Sequence, residues 1–147
     1  MAISMEIEAR RAFFRLQFSP PIQAEMTIVR VKGQTIETGN SSILIEDLSA
    51  GGLRFLSNLK IPVTEHIILE FQITLMGQSI RLLGYVVWVK PETEGIPAYG
   101  VRFTIDENKH VQLTQLLNAI ALRQRKNIPL PQTPVYSGSF DEYFQEE

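Results

Sequence analysis

Alternating apolar and polar positions run through most of the first two thirds of the chain and predict β-strands. The alternation begins at Ile22, directly after Pro20-Pro21, a pair that ends any preceding helix and starts an extended segment. Segments rich in isoleucine, leucine, valine and phenylalanine predict further strands at residues 43–45, 53–56, 67–75, 79–90 and 98–104. Turns are predicted at Lys32-Gly33-Gln34 and at Met76-Gly77-Gln78, and the second turn makes a hairpin of its two flanking strands.

The hydrophobic period changes after residue 104 and predicts one helix. Apolar residues then recur at i, i+3, i+4 and i+7, which places them on one stripe of a helix: Leu113, Leu116, Leu117 and Ile120. Asp106 is suited to cap the helix N-terminus, and Asn127 and Pro129 are expected to end the helix. Several strands followed by one helix predict a mainly β fold, an antiparallel barrel that the helix plugs or flanks. The strand pattern alone also fits a β-sandwich.

The residues after the helix form an extended tail with an unusual composition. Residues 127–147 contain three prolines and end in an acidic and aromatic stretch. Two interpretations stay open. The tail is either a flexible extension or a docking peptide for a protein partner, because it holds many aromatic residues for a disordered segment: Tyr136, Phe140, Tyr143 and Phe144.

The composition excludes several classes of function. The 147 residues suit one domain with tails, and the absence of cysteine excludes disulfides, thiolate zinc sites and cysteine nucleophiles. No apolar run approaches the roughly 20 residues of a membrane helix, so we expect a cytoplasmic protein without membrane insertion. The net charge of −2 argues against a nucleic acid polymer as partner.

No set of residues suggests catalysis. The chain has no nucleophile paired with a base and no glycine-rich phosphate loop followed by lysine. His66 and His110 have no evident partners in the sequence and are expected to have structural or solvent-exposed roles. We therefore expect a protein that is not an enzyme and that needs neither a metal nor a cofactor.

Three arginines lie close together ahead of the first predicted strand. Arg10, Arg11 and Arg15 repel one another unless an anion or a polar ligand lies among them. The planar guanidinium donates two parallel hydrogen bonds to phosphate and can also address the O6 and N7 edge of guanine. A solvated charge cluster is the alternative interpretation of these arginines.

A second polar motif, Asp47-x-Ser49-x-x-Gly52, directly follows the predicted strand at residues 43–45. The Asp47 carboxylate can accept hydrogen bonds from a guanine edge, and the Ser49 hydroxyl can donate or accept. Gly51-Gly52 allows a tight turn and a close approach of the backbone to a ligand. In the alternative interpretation, Asp47 and Ser49 only cap backbone amides of a local turn.

Taken together, these motifs resemble those of the PilZ domain family. The pair Arg11-x-x-x-Arg15, the motif Asp47-x-Ser49-x-x-Gly52, and the later segments Gly84-Tyr85-Val86-Val87-Trp88 and Tyr99-Gly100-Val101-Arg102-Phe103 follow one another in the family's order. The resemblance covers roughly residues 10–123. It implies a six-stranded barrel with a C-terminal helix that binds cyclic di-GMP (c-di-GMP), a bacterial messenger with two guanines and two phosphates.

The resemblance also implies roles for single residues. Arg11 and Arg15 would bind phosphate and guanine from a flexible arm, Asp47 and Ser49 would bind a guanine edge, and Gly52 would keep the shape of the loop. Arg10 directly precedes the motif, and in this family such an arginine accompanies two stacked, intercalated ligand molecules, so we expect a ligand dimer. Further candidates for the border of the ligand site are Gly51, Trp88 and Arg102, although Trp88 also fits a packing role on the barrel.

From this resemblance we expect an N-terminal arm at residues 1–9, a PilZ domain at 10–126 and a flexible Pro-rich, acidic and aromatic tail at 127–147. The leading hypothesis is a c-di-GMP receptor in motility, adhesion or biofilm-type signalling. Its arm before Pro20 would be mobile without ligand and would become ordered on binding, altering a surface for an unidentified protein partner. The first alternative is an interaction adaptor that has the PilZ fold but does not use the ligand. A small nucleic-acid-binding barrel is the second alternative.

Overall fold

The computed structural model describes residues 15–36, 38–91 and 95–145. The arm predicted at residues 1–9 and two of the candidate arginines, Arg10 and Arg11, lie outside these ranges. Within them the chain forms seven strands and two helices: β1 (Leu16–Val31), β2 (Gln34–Thr35), β3 (Ser41–Leu48), β4 (Gly52–Leu56), β5 (Ile67–Leu75), β6 (Gln78–Pro91), β7 (Pro97–Phe103), α1 (Glu107–Arg125) and α2 (Phe140–Gln145).

Six of these strands form a closed antiparallel barrel, as the sequence predicts. The strands follow the order β1-β3-β4-β7-β6-β5, and β5 pairs with β1 to close the sheet. The two-residue strand β2 pairs only with the end of β1 among the described residues, at Arg30 and Val31. Closure pairs the two edges that a sandwich would leave open, which decides between the two architectures.

Strand β1 begins six residues earlier than its alternating pattern predicts, at Leu16 instead of Ile22. Leu16 and Phe18 are buried in the core, so the chain is already part of the barrel before the two prolines. The pairing of β1 with β3 shifts register between Gln17 and Ile22, where Pro20 and Pro21 have no backbone N–H to donate. The prediction that the arm before Pro20 is mobile is therefore wrong for residues 16–19.

The predicted turns are present where glycine provides left-handed backbone. Met76 and Gly77 have φ values of 50° and 77° and connect β5 to β6. Lys32 and Gly33, with φ values of 50° and 82°, connect β1 to β2 in the same way. Two consecutive residues of positive φ form the tight hairpin turn whose twist matches that of paired strands.

The core fills the barrel and includes the helix that follows it. Phe55 packs edge-on against Phe71 and stacks on Tyr99, with ring centroids 5.3 and 5.2 Å apart. All four residues of the predicted helical stripe are buried in the same cluster. Asp106 caps α1 as predicted, because its Oδ1 accepts a hydrogen bond from the Lys109 backbone N–H at 2.8 Å.

The segment after α1, predicted as a flexible tail, is largely extended but packs along the barrel. Backbone hydrogen bonds join Gln23 N–H to Pro134 O and Tyr136 N–H to Pro21 O, each at 3.0 Å. The segment then forms α2, which the sequence pattern does not predict. Phe144 of α2 is 4% exposed, in a second apolar cluster on the outer face of the barrel. Burial of this ring is the physical reason why the segment does not extend into solvent.

Within the described ranges, neither helix is both long and apolar enough to span a membrane.

Candidate functional site

The first part of the candidate site is an ion pair between β1 and β3. Antiparallel pairing aligns Leu16 with Leu48 and Gln17 with Asp47, which brings Arg15 beside Asp47. Arg15 Nη1 donates a hydrogen bond to Asp47 Oδ1 at 3.0 Å. The Arg15 side chain is 56% exposed and that of Asp47 12% exposed, so the pair joins a solvated cation to a largely buried carboxylate.

The predicted loop is a tight turn built around Ser49. Asp47 lies in β3, which ends at Leu48, and Gly52 is the first residue of β4. Only residues 49–51 therefore connect the two strands. The buried Ser49 Oγ accepts hydrogen bonds from the N–H groups of Gly51 and Gly52, at 3.3 and 3.1 Å. Ser49 N–H also donates to Gly52 O at 2.8 Å. The described contacts of the Ser49 hydroxyl thus match the local capping role, whereas Asp47 forms a long-range pair with Arg15.

Gly52 lies where only glycine fits. A Cβ atom placed on Gly52 would lie 1.9 Å from the backbone oxygen of Val101, far inside van der Waals contact. The close approach sets β4 tightly against β7, and Phe103 N–H donates to Gly51 O at 2.9 Å. The sequence predicts that Gly52 keeps the shape of the loop, and the structure shows how its missing side chain allows this packing.

Arg15 and the turn line an open cavity of about 470 Å³. Arg102 of β7 lies at the same cavity, since its Cα is the pairing partner of Gly52. His110, in the first turns of α1, completes the polar lining. The remaining wall is apolar and includes Val87, Phe103 and Ile105. Two guanidinium groups beside apolar side chains suit an anion that carries a flat organic group.

A second depression of about 330 Å³ lies next to this cavity, on the Asp47 side of the ion pair. Its lining includes Gln17, Asp47 and Arg54 together with Phe140 of α2. Arg54 Nε donates to Glu46 Oε1 at 2.9 Å, so carboxylates and a guanidinium lie together here. We call this depression the Asp47 cleft. It offers hydrogen-bond acceptors and donors to a ligand edge, beside an aromatic ring.

Trp88 packs on the barrel over Gly100, beside Arg54 and Lys90. The indole covers Gly100, where a Cβ atom would lie 2.0 Å from Trp88 Cε2. The guanidinium of Arg54 and the ammonium of Lys90 lie over the ring, 5.7 and 5.2 Å from its centroid. Trp88 packs against the cluster around Phe144 and does not line the cavity of Arg15. This placement matches the packing role that the sequence left open.

The structure therefore brings together six of the predicted residues. Arg15, Asp47, Ser49, Gly51, Gly52 and Arg102 surround one region of the surface. Trp88 borders this region from the side of Arg54, and Arg10 and Arg11 lie outside the described residues.

Sequence reasoning missed several residues of the site: Val87, Phe103, Ile105, His110 and Phe140. The sequence predicts a structural or solvent-exposed role for His110. Its position shortly after Asp106 indicates that it lies near the start of a helix, but the local pattern does not show which part of the barrel that start lies against. Phe140 lies in a tail whose packing no local pattern predicts. Among residues 15–36, 38–91 and 95–145, no group of three or more His, Asp or Glu side chains is arranged to hold a metal ion.

Comparisons with known proteins show the same architecture. YcgR of Escherichia coli, solved in complex with c-di-GMP, is 18% identical and superposes with a TM-score of 0.59 over 80% of this chain and 49% of YcgR. MotI/DgrA, an inhibitor of motility from Bacillus subtilis, is 14% identical with a TM-score of 0.59, over 79% of this chain and 53% of its own. MrkH of K. pneumonia in its apo state is 17% identical with a TM-score of 0.54, over 78% and 52%.

The chain thus spans about half the length of each of these three proteins. At such identities the likeness establishes the fold. No curated protein sequence matches the chain. The family model for the PilZ domain matches residues 9–119, which include both motifs and every barrel strand. This chain belongs to the PilZ domain family.

Proposed function

We propose that this protein is a receptor for c-di-GMP and not an enzyme. The ligand would lie between the Arg-x-x-x-Arg arm and the Asp-x-Ser-x-x-Gly turn. The observation that carries the proposal is the convergence of Arg15, Asp47 and Arg102 on one part of the surface, although they come from three separate segments of the chain. The fold shared with the c-di-GMP complex of E. coli YcgR supports the same ligand.

The chemistry of the site suits the two parts of the nucleotide. Arg15 and Arg102 supply guanidinium groups for the phosphates, which accept charge-assisted hydrogen bonds from arginine. The Asp47 carboxylate accepts hydrogen bonds from the donor groups of a guanine edge. Arg10 and Arg11 would add further guanidinium groups when the arm joins the bound ligand. Ser49, Gly51 and Gly52 would act mainly through the turn, whose backbone they hold in shape.

Ligand binding would order the arm and alter a neighbouring surface for a protein partner. Because Arg15 is already paired with Asp47, the change would concern the arginines that precede it. The altered surface would include β6 beside the cavity, where Val87 and Val89 are 38% and 45% exposed. Exposed apolar residues on a strand beside the ligand site suit contact with a protein partner, and a bound ligand would change the shape of that surface. Motility, adhesion or biofilm-type signalling would be the setting.

Isothermal titration tests the proposal directly. The full chain should bind c-di-GMP at micromolar or lower concentration, and GMP and GTP at the same concentrations should give no comparable heat. A chain that takes up no c-di-GMP would contradict the proposal and favour the adaptor that does not use the ligand. That adaptor would retain its partner when c-di-GMP is added or removed.

The same titration gives the number of ligand molecules. We propose that Arg10, Arg11 and Arg15 together bind an intercalated c-di-GMP dimer, which predicts two ligand molecules per chain. A stoichiometry of one would show that the arginine before the motif does not have this role here. If the parent chain binds two ligand molecules and the dimer depends on Arg10, replacing Arg10 with alanine should lower the stoichiometry from two to one.

A further inference from the structure

The Asp47 cleft is bounded on one side by a residue from the far end of the chain. Phe140, the first residue of α2, lines the cleft together with Gln17, Asp47 and Arg54. It is half-buried, so part of the ring packs and part faces the cleft. The neighbouring cavity contains Arg15, whose guanidinium is bonded to Asp47. The ion pair therefore joins a residue of the cavity lining to a residue of the cleft lining.

The position of Phe140 is set by several contacts around α2. The phenol of Tyr143 donates to Ile43 O at 3.2 Å, and Asn58 Nδ2 donates to Phe144 O at 3.2 Å. Phe144 is buried in a cluster with Leu44, Leu56 and Ala98 of the barrel strands. Ser139 Oγ accepts from Glu142 N–H at 3.2 Å at the start of the helix. The first two contacts tie the C-terminal end of α2 to β3 and to the loop after β4, and Phe140 itself packs against the cluster around Phe144.

The lining of the cleft matches the features of a purine. A guanine has a flat face that stacks on aromatic rings and an edge that forms hydrogen bonds with carboxylates and guanidinium groups. The cleft offers a phenyl ring, the carboxylates of Glu46 and Asp47, and the guanidinium of Arg54. Stacking on phenylalanine would add affinity without distinguishing between bases, and hydrogen bonds to Asp47 and Arg54 would distinguish guanine.

We propose that Phe140 is a ligand-binding residue and that α2 supplies the aromatic wall against which one guanine of the ligand stacks. The inference rests on the proposed c-di-GMP function and extends it to the C-terminal segment. It gives that segment a part in binding, so occupancy of the site also stabilises the docking of α2 on the barrel.

Titration of three variants tests this role. Phe140→Ala and Phe140→Leu should each bind c-di-GMP about tenfold more weakly than the parent chain, because a stacked base loses its aromatic partner. Phe140→Trp should retain or improve the affinity. Leucine keeps the apolar packing but lacks the ring, so a merely structural role would leave Phe140→Leu close to the parent. Parent-like or tighter binding by the Phe140→Leu chain would overturn the inference, whatever the affinity of the Phe140→Ala chain.

A fluorescence measurement reports the contact directly. The chain has one tryptophan, Trp88, so Trp88→Phe combined with Phe140→Trp places the only indole in the cleft. Adding c-di-GMP should quench this indole with the same midpoint as the calorimetric titration. An emission that stays constant while the ligand binds would refute stacking at this position. If the parent chain binds no c-di-GMP at all, the proposed function fails first, and the two failures are thereby separated.

Discussion

Arg15 and Asp47 lie 32 residues apart in the chain, yet Arg15 Nη1 and Asp47 Oδ1 are joined by a hydrogen bond of 3.0 Å. The register of two strands brings them together, since Gln17 of β1 is the direct partner of Asp47 of β3. A guanidinium carries five N–H donors, so the bond to Asp47 leaves Arg15 with donors for a phosphate. The pair thus holds a cation at the mouth of the cavity beside the Ser49 turn.

Replacing Arg15 with alanine should weaken c-di-GMP binding more than any loss of stability explains. Each charge-assisted hydrogen bond contributes about 1.5–3 kcal/mol, which corresponds to an affinity about 10- to 150-fold lower. Calorimetric titration gives the affinity, and thermal unfolding gives the stability of the same sample. Arg81→Ala is the matched control, because Arg81 is an exposed arginine of β6 that pairs with Glu70 at 3.5 Å. Equal affinities for the parent and Arg15→Ala chains would place the ligand elsewhere.

Ser49→Ala should lower stability and affinity together. The hydroxyl satisfies the N–H groups of Gly51 and Gly52 inside a buried turn, so its loss leaves buried donors without that acceptor. The expected decrease in the free energy of unfolding is about 1–3 kcal/mol, measured by denaturant titration. Ser79→Ala on β6 is the control and should change it by less than about 0.5 kcal/mol. A Ser49→Ala chain of parent stability with lower affinity would instead indicate that the hydroxyl contacts the ligand.

Gly52→Ala should destabilise the barrel by forcing β4 away from β7. The added Cβ would lie 1.9 Å from Val101 O, a backbone atom that cannot rotate aside. Overpacking of this kind costs about 1–3 kcal/mol or more, visible as a lower thermal midpoint. Gly39→Ala provides the comparison, because a Cβ at Gly39 meets nothing within 4 Å. Similar midpoints for the two alanine variants would show that the strands accommodate the methyl group.

Phe144→Ala should release the C-terminal segment from the barrel. The Phe144 side chain is 4% exposed against Leu44, Leu56 and Ala98, and truncation of a buried phenylalanine costs about 3 kcal/mol or more. Limited proteolysis should then cut within residues 128–145 while the barrel stays intact. Tyr143→Phe, which removes only the hydroxyl bonded to Ile43 O, should cost about 1 kcal/mol and keep the segment protected. Resistance of the Phe144→Ala chain to cleavage would mean that other contacts hold the segment.

The elements that local pattern predicts best are those whose residues bury one face. The stripe of Leu113, Leu116, Leu117 and Ile120 predicts α1, and all four residues are buried. The sequence Met76-Gly77-Gln78 predicts the turn of the β5–β6 hairpin. In the structure Met76 and Gly77 both have positive φ, which suits the twist of the paired strands. The alternating pattern predicts too late a start for β1, since two prolines interrupt the ladder while Leu16 and Phe18 on their N-terminal side still bury their side chains.

The residue types of the candidate site and their order along the chain follow directly from the printed sequence. Arginines ahead of the first strand, then an acidic residue, a serine and a glycine after a strand, resemble the PilZ motifs, and these side chains are suited to phosphate and guanine. Which of these residues come into contact depends on the fold. Barrel closure and strand register place Arg15 on Asp47 and Arg102 beside Gly52, while packing of Phe144 brings Phe140 to the Asp47 cleft. These contacts depend on the free energy gained when residues from distant segments bury one another, and no short stretch of the chain contains both partners.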